Sequence, residues 1–367
     1  MRYAITITLL VLFLSSGLTG QQKSPSSLRL IFAGDIMGHD SQIEAARTDA
    51  GYDYDTCFSV LRSYIESADI AIANLEVTLA GPPFKGYPLF SSPDELAPAL
   101  KNAGFDLMIT ANNHSLDRGK KGLERTLIIL ENNDLLKTGT FTNEQERNRY
   151  YPLILEKNGI RIALLNYTYG TNGLKTEHPN IVNYIDREQI ALDLNKAKLA
   201  LPDFIIVTMH WGLEYQREEN TEQQALAEFI AQNGADAIIG SHPHVVQPLR
   251  LISAGNKQVP VLFSLGNFIS NQRNRYTDGG ILFELTIEKD KYARITDFGY
   301  LPVWVYKQPL KNEGNQFILL PSNKEKQFYN SLGMSETDYE KLIQFNEDTR
   351  NHMENIHKLR SEIVGFP

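Results

Sequence analysis

From Leu28 onward, short apolar runs alternate with stretches of helix-period polarity. The runs are LRLIFAG, ADIAIAN, FDLMITA, RIALLNY, DFIIVTM, ADAIIGS and VPVLFSL. Each is bounded by turn residues or charges, and each reads as a buried strand. Between them, residues 121–130 and 223–232 carry apolar side chains at a spacing near 3.6, which predicts helices. Asn233-Gly234 stops the second. This alternation predicts an α/β layered fold. Residues 279–306, GGILFELTIEKDKYARITDFGYLPVWVY, then read as consecutive strands joined by short turns, so the sheets are mixed. A polar tail follows Lys307, with a charged, modestly amphipathic helix expected over residues 335–360.

The first 20 residues stand apart. Their apolar run, from Ala4 to Leu14, is too short for a span of roughly 20 residues and fits the core of a secretory signal peptide. An uncleaved membrane anchor is the alternative. Either places the rest of the chain in the periplasm or elsewhere outside the cytoplasm. Cys57 is the single cysteine, so an intrachain disulfide is excluded and core filling is its expected role. A net charge of -8 argues against a nucleic-acid-binding face and leaves room for a small basic patch.

The chemistry shows in where the apolar runs end. They lead into Asp35, into Asn74-Leu75-Glu76, into Asn112-Asn113-His114, into His210-Trp211-Gly212 and into Ser241-His242-Pro243-His244. Ligands of open α/β sheets bind outside the carboxyl ends of strands, so these residues converge if the strands are neighbours. Five of the eight histidines (His39, His114, His210, His242 and His244) lie at or near such positions. His, Asp, Asn and Glu together suit Mn, Fe or Zn. In IIGSHPHVVQP, Gly240 is expected to let the chain leave its strand tightly, and Pro243 to stiffen the turn that carries the two imidazoles.

GDIMG, NLEVTLA, ANNHSLDRG, MHWGLEY, GSHPHVVQP and SLGNF, in this order, resemble the CapA family of capsule-synthesis and poly-γ-glutamate biosynthesis proteins. That family is related to the calcineurin-like metallophosphoesterases. The likeness covers roughly residues 28–305. It implies an α/β four-layer sandwich, two mixed β-sheets flanked by helices, over residues 28–306, and the polar tail with its expected helix makes 307–367 a C-terminal helical extension outside the likeness. It also implies a centre of two divalent ions that activates water. By the resemblance, Asp35 binds one metal, Glu76 bridges, Asn113, His210 and His242 serve the second, and His244 returns to the first. His114 then protonates the leaving oxygen, and Asp117 orients it. Two positions depart from the superfamily pattern: Met37 stands where a histidine is usual, with His39 a candidate replacement, and the bridge is Glu rather than Asp.

Other residues keep two readings. Asp117 also suits a helix cap. Asn267 either caps a turn or lines the site, and Trp211 is either core or a wall of the crevice. Glu214 and Tyr215 fit an exposed turn or the rim. Arg118, Lys85, Arg273 and Arg275 are candidates for binding carboxylate or phosphate. The segment GPPFKGYPLFSSP, residues 81–93, is either a lid or a structured loop. His178, His352 and His357 are expected at the surface. Three functions compete: a metal-dependent hydrolase of capsule or poly-γ-glutamate metabolism, acting on an anionic polymer or phosphoester; a non-catalytic partner of membrane polymer-synthase components; and a phosphodiesterase of small substrates.

Overall fold

The computed structural model describes residues 25–310 and 314–354. The leader and the end of the expected terminal helix, with His357, lie outside the described residues. Each of the seven apolar runs lies on a strand. Their side chains alternate: Leu30 and Phe32 face one core, Ile31 and Ala33 another. Ile206 and Val207 divide in the same way. Strands covered on both faces need apolar residues at every position, which is why they read as continuous runs.

Two sheets form. In the first, the order is Asn315–Pro321, Ala293–Pro309, Gly279–Lys289, Ser26–Ile36, Ile70–Leu75, Leu107–Ile109 and Leu136–Thr138. The short strand Asn267–Ile269 also pairs with Ser26–Ile36. In the second, the order is Val246–Ala254, Lys257–Leu265, Ala237–Ser241, Phe204–His210, Ile160–Thr168 and Leu153–Lys157. Both are mixed: the first is antiparallel on one side of Ser26–Ile36 and parallel on the other, and the second has a parallel centre with an antiparallel strand at each edge.

The sheets pack face to face through Leu30, Phe32, Ile72, Leu164, Ile206 and Leu262. Each such fully buried side chain contributes about 1.5–3 kcal/mol. Helices cover the outer faces. Leu96–Asn102 packs Leu100 over the first sheet. Arg187–Leu199 and Thr221–Gln232 lay Ile190, Leu194, Leu226 and Ile230 over the second. This is the four-layer sandwich. The two expected helices appear as Gly119–Asn132 and Thr221–Gln232. Asn220 caps the latter with a reciprocal Gln223 box, and Gly234, at φ +108°, ends it.

The tail differs from its expected form. Lys307 lies inside a strand, and Asn315–Pro321 pairs with that strand before any helix begins. Only then do Lys326–Ser331 and Glu336–His352 follow, packing Tyr329, Leu342 and Phe345 against Trp304 and Tyr306. His352 is half-buried rather than a free surface residue; its ring donates to the Arg217 carbonyl at 2.8 Å.

Gly240 also differs. It stays within the Ala237–Ser241 strand, and a Cβ there would lie 1.9 Å from the Phe263 carbonyl oxygen and 2.5 Å from Trp211 Nε1. Trp211 Nε1 donates to that same carbonyl at 2.9 Å. The glycine is therefore required by strand–indole contact, not by a turn. Gly240→Ala is expected to cost about 2–3 kcal/mol through overpacking, read as a lower denaturant midpoint. A change below about 0.5 kcal/mol, the range of ordinary surface substitutions, would contradict the contact.

Candidate metal centre

Strand register assembles the site. Ser26–Ile36 places Asp35 beside Asn74 and Asn267, and Phe204–His210 places His210 beside Ser241. Both rows lie at the carboxyl ends of the parallel strands. The next turn holds His242 at φ +102° and His244 at φ +57°, flanking Pro243. Non-glycine residues in this region are strained, and such strain collects at functional sites.

Two groups of ligand-type atoms result. Glu76, His210 and His242 form one, and Asp35, Glu76 and His244 the other; within each, the atoms lie within 4.8 Å of one another. Glu76 belongs to both, and all five residues are buried. Its Oε1 lies 3.6 Å from His210 Nε2 and 3.8 Å from His244 Nε2, yet it has no hydrogen-bond partner. His242 Nδ1 is also buried and unpartnered. Orphaned buried acceptors are costly, and a cation among them removes that cost. The donor set therefore fits a divalent metal.

The electrostatics agree. Burial pushes the Glu76 carboxyl well above its ordinary range, and the Asp35 charge pushes it further. Burial would raise Asp35 too, but His244 and the Asn74 amide outweigh it and bring that carboxyl below its usual value. His210 is held well below the usual histidine range by burial and the neighbouring rings, and His242 falls to about 3 for the same reasons. These two imidazoles are thus neutral at physiological pH, the form a metal takes.

The surrounding amides orient these groups. Asn113 Oδ1 lies 2.8 Å from His210 Nε2, so both aim at one place. Asn74 Nδ2 donates to Asp35 Oδ1 at 2.7 Å and approaches Glu76 Oε2 at 3.4 Å. Asn112 in turn donates to Asn74 Oδ1 and to the Leu75 carbonyl. Asn267 Oδ1 lies 3.1 Å from His244 Nδ1, leaving Nε2 toward Glu76. Asn267 is fully buried, so it steadies His244 from behind rather than lining the crevice.

His114 sits beside the cluster. Its Nδ1 lies 2.7 Å from Asp117 Oδ2, which also accepts the Phe90 backbone N–H at 2.7 Å. Asp117 is therefore committed to His114 and does not cap the following helix, whose cap residue is Arg118. Burial raises the Asp117 carboxyl despite His114. Phe90 meets His114 edge-on at 4.6 Å and His39 at 5.4 Å, so the 81–93 segment is a structured loop that seals this wall.

Several candidates are engaged elsewhere. Met37 is core, and His39 lies outside both ligand groups, its Nδ1 near Gln42 and the Asn271 N–H. Arg118 donates to the Pro83 carbonyl. Arg273 donates to the Val305 carbonyl, and Arg275 forks onto Asp348. Trp211 is 2% exposed and stacks on Phe263, while one side of it meets a neighbouring cavity. Asn74 and Tyr169 had no role in the sequence reading. The signal for Asn74 was its place two residues before Glu76 at a strand end. For Tyr169 it was the end of RIALLNYTY, a sixth run reaching the same edge.

Residues 29–272 match the family model described as bacterial capsule synthesis protein PGA_cap. The capsule biosynthesis protein CapA of Bacillus anthracis is 29% identical over 265 residues, covering 69% of this chain and 62% of that protein. The PGA biosynthesis protein CapA of Bacillus subtilis is 29% identical over 205 residues, covering 54% and 52%. The chain thus spans about half to three fifths of the length of these relatives. The NAD nucleotidase of Haemophilus influenzae aligns with a TM-score of 0.52 at 14% identity, over 88% of this chain and 63% of that one, and shares the fold.

Proposed function

Since this chain belongs to the bacterial capsule synthesis protein family PGA_cap, within the calcineurin-like metallophosphoesterase superfamily, we propose that it is an exported metal-dependent hydrolase of capsule or poly-γ-glutamate metabolism. The observation that carries this reading is Glu76 Oε1, buried, unpartnered and common to both ligand groups. Asp35, Glu76 and His244 would hold one ion, and Glu76, Asn113, His210 and His242 a second. Two divalent ions there supply charge to polarise a scissile phosphoryl or carbonyl group and to make water acidic enough to attack.

The protein's own residues do the rest. Asp117 accepts from Nδ1 of His114, which leaves Nε2 to pass a proton to the departing oxygen or nitrogen. Asn267 and Asn74 hold the ligands in place, and Phe90 keeps water from the Asp117–His114 contact. The balanced step adds water across the bond: its oxygen joins phosphorus or carbon, and the leaving group takes a proton. Elemental analysis of the purified chain after incubation with Mn, Fe or Zn tests this directly. About two ions per chain are expected, lost in a His242→Ala/His244→Ala variant. Absence of bound metal from the unaltered chain would sink the hydrolase reading.

Met37 favours a second reading. With an apolar core residue in the usual histidine's place, the Asp35 group has fewer donors. One ion per chain with no turnover would favour a non-catalytic role beside membrane polymer-synthase components.

A further inference from the structure

Tyr169 is 47% exposed and its ring lies 4.5 Å from that of His242. It forms one wall of a cavity of about 320 Å³ that also meets Ile185, Trp211, Leu213, Asn220 and Glu222. That volume lies at the small end of ordinary ligand sites. Leu213, 61% exposed, stands at its edge, and the buried Trp211 indole is spent on the Phe263 carbonyl. No lysine or arginine lines the cavity; its one charged group is Glu222. The next residues beyond Leu213 are Glu214 and Tyr215, and the Tyr215 ring lies 6.1 Å from that of His244. Tyrosines thus stand against both histidine-bearing ligand groups.

Such a cavity does not suit a polyanion, whose carboxylates would meet Glu222 and aliphatic walls. It suits a ring without negative charge, its face laid on Tyr169 and covered by Leu213. We propose that this cavity beside the metal cluster is the specificity pocket, and that it takes an uncharged ring, a sugar or a nucleobase, attached to the scissile group. The inference rests on the hydrolase reading for the identity of the neighbouring bond, and on the cavity alone for the ring. Asn220 and Glu222 supply the polar edge that such rings need for their hydroxyl or ring-nitrogen groups.

The test uses three methyl phosphodiesters with primary alkyl leaving groups: those of uridine 5′-, glucose 6- and glycerol 3-phosphate. They differ in the ring, not in the reacting bond. Turnover by the Mn-loaded chain is measured beside ligand-detected saturation-transfer NMR. At least one ring-bearing diester is expected to show about tenfold higher kcat/KM than the glycerol diester, with saturation on its ring protons. Which one responds separates sugar from base. Leu213→Asp is expected to lower the ring-to-glycerol ratio about tenfold through KM. A variant that merely misfolded or lost metal would lower all three rates together and keep the ratio. Equal use of the three diesters, or an unchanged ratio in Leu213→Asp, would overturn the pocket assignment while leaving a hydrolase. Ring saturation without turnover would support the pocket and sink the phosphoester reading. Neither turnover nor ring saturation would sink both.

Discussion

Glu76→Gln is expected to abolish stable metal binding and to lower turnover on the order of a thousandfold, comparable to losing a principal electrostatic group of an active site. Glutamine keeps the shape and one oxygen but not the charge that both ligand groups share. The same change is expected to stabilise the metal-free chain by about 1–3 kcal/mol, because it removes the cost of keeping an ionisable carboxyl buried with its Oε1 unpartnered. The pH dependence follows from the direction of the shift. The folded state holds the Glu76 proton well above the ordinary glutamate range, so the unfolded chain releases it first. This residue's contribution to metal-free stability is therefore full below the ordinary value, about pH 4.3, and is lost as pH rises toward the raised one. Glu76→Gln should flatten that loss, as followed by thermal melting of the metal-free protein between pH 4 and 8. Metal uptake by the unaltered chain should release a proton and tighten as pH rises, because His210 and His242 are already neutral and Asp35 already charged. Calorimetry in two buffers of different ionisation enthalpy measures that proton. Destabilisation of the metal-free variant, or proton-free uptake, would show that Glu76 is not the shared acceptor.

The stretches that carry this chemistry differ in how openly the sequence displays them. Strands covered on both faces are legible because nothing polar interrupts them, and their polar ends then stand out. Residues whose role depends on a partner far along the chain are not. Asn74 reads as an ordinary polar residue until the sheets bring Asp35 and His210 to its amide, 39 and 136 residues away in sequence. Asn267 reads as a turn residue or, by the resemblance, a site residue, and its contact with His244 makes it a support. Gly240 shows how a correct residue acquires a wrong reason: glycine before a turn is a common sign, but here Trp211 and Phe263 press on the strand. The strand Asn315–Pro321 hides in a polar tail because its buried part is short, Phe317 to Pro321, and ends in a proline. Arg273 and Arg275 show the reverse case: charge that reads as an anion site is consumed by Val305 and Asp348.

The second large effect concerns His114. His114→Ala is expected to lower turnover by about 10²–10⁴-fold, with metal content unchanged, since His114 belongs to neither ligand group. Leaving-group dependence separates acid catalysis from a general loss of structure. An alkoxide cannot leave without a proton, whereas a nitrophenolate can, so the defect should be large for an alkyl phosphodiester and small for the nitrophenyl one. Asp117→Asn probes the support. The carboxylate accepts from both the His114 ring and the Phe90 N–H, so it fixes the proton on Nδ1 and couples the ring to the 81–93 loop. An asparagine oxygen still accepts, but without charge it supports the His114 ring less while that ring donates its proton. Activity on the alkyl ester should therefore fall about tenfold to a hundredfold, and activity on the nitrophenyl ester much less. Equal losses on the alkyl and nitrophenyl esters would remove His114 from the proton-donor role. They would leave the His114–Asp117 pair as a clamp between the Asn112–Asn113 turn and the Phe90 loop.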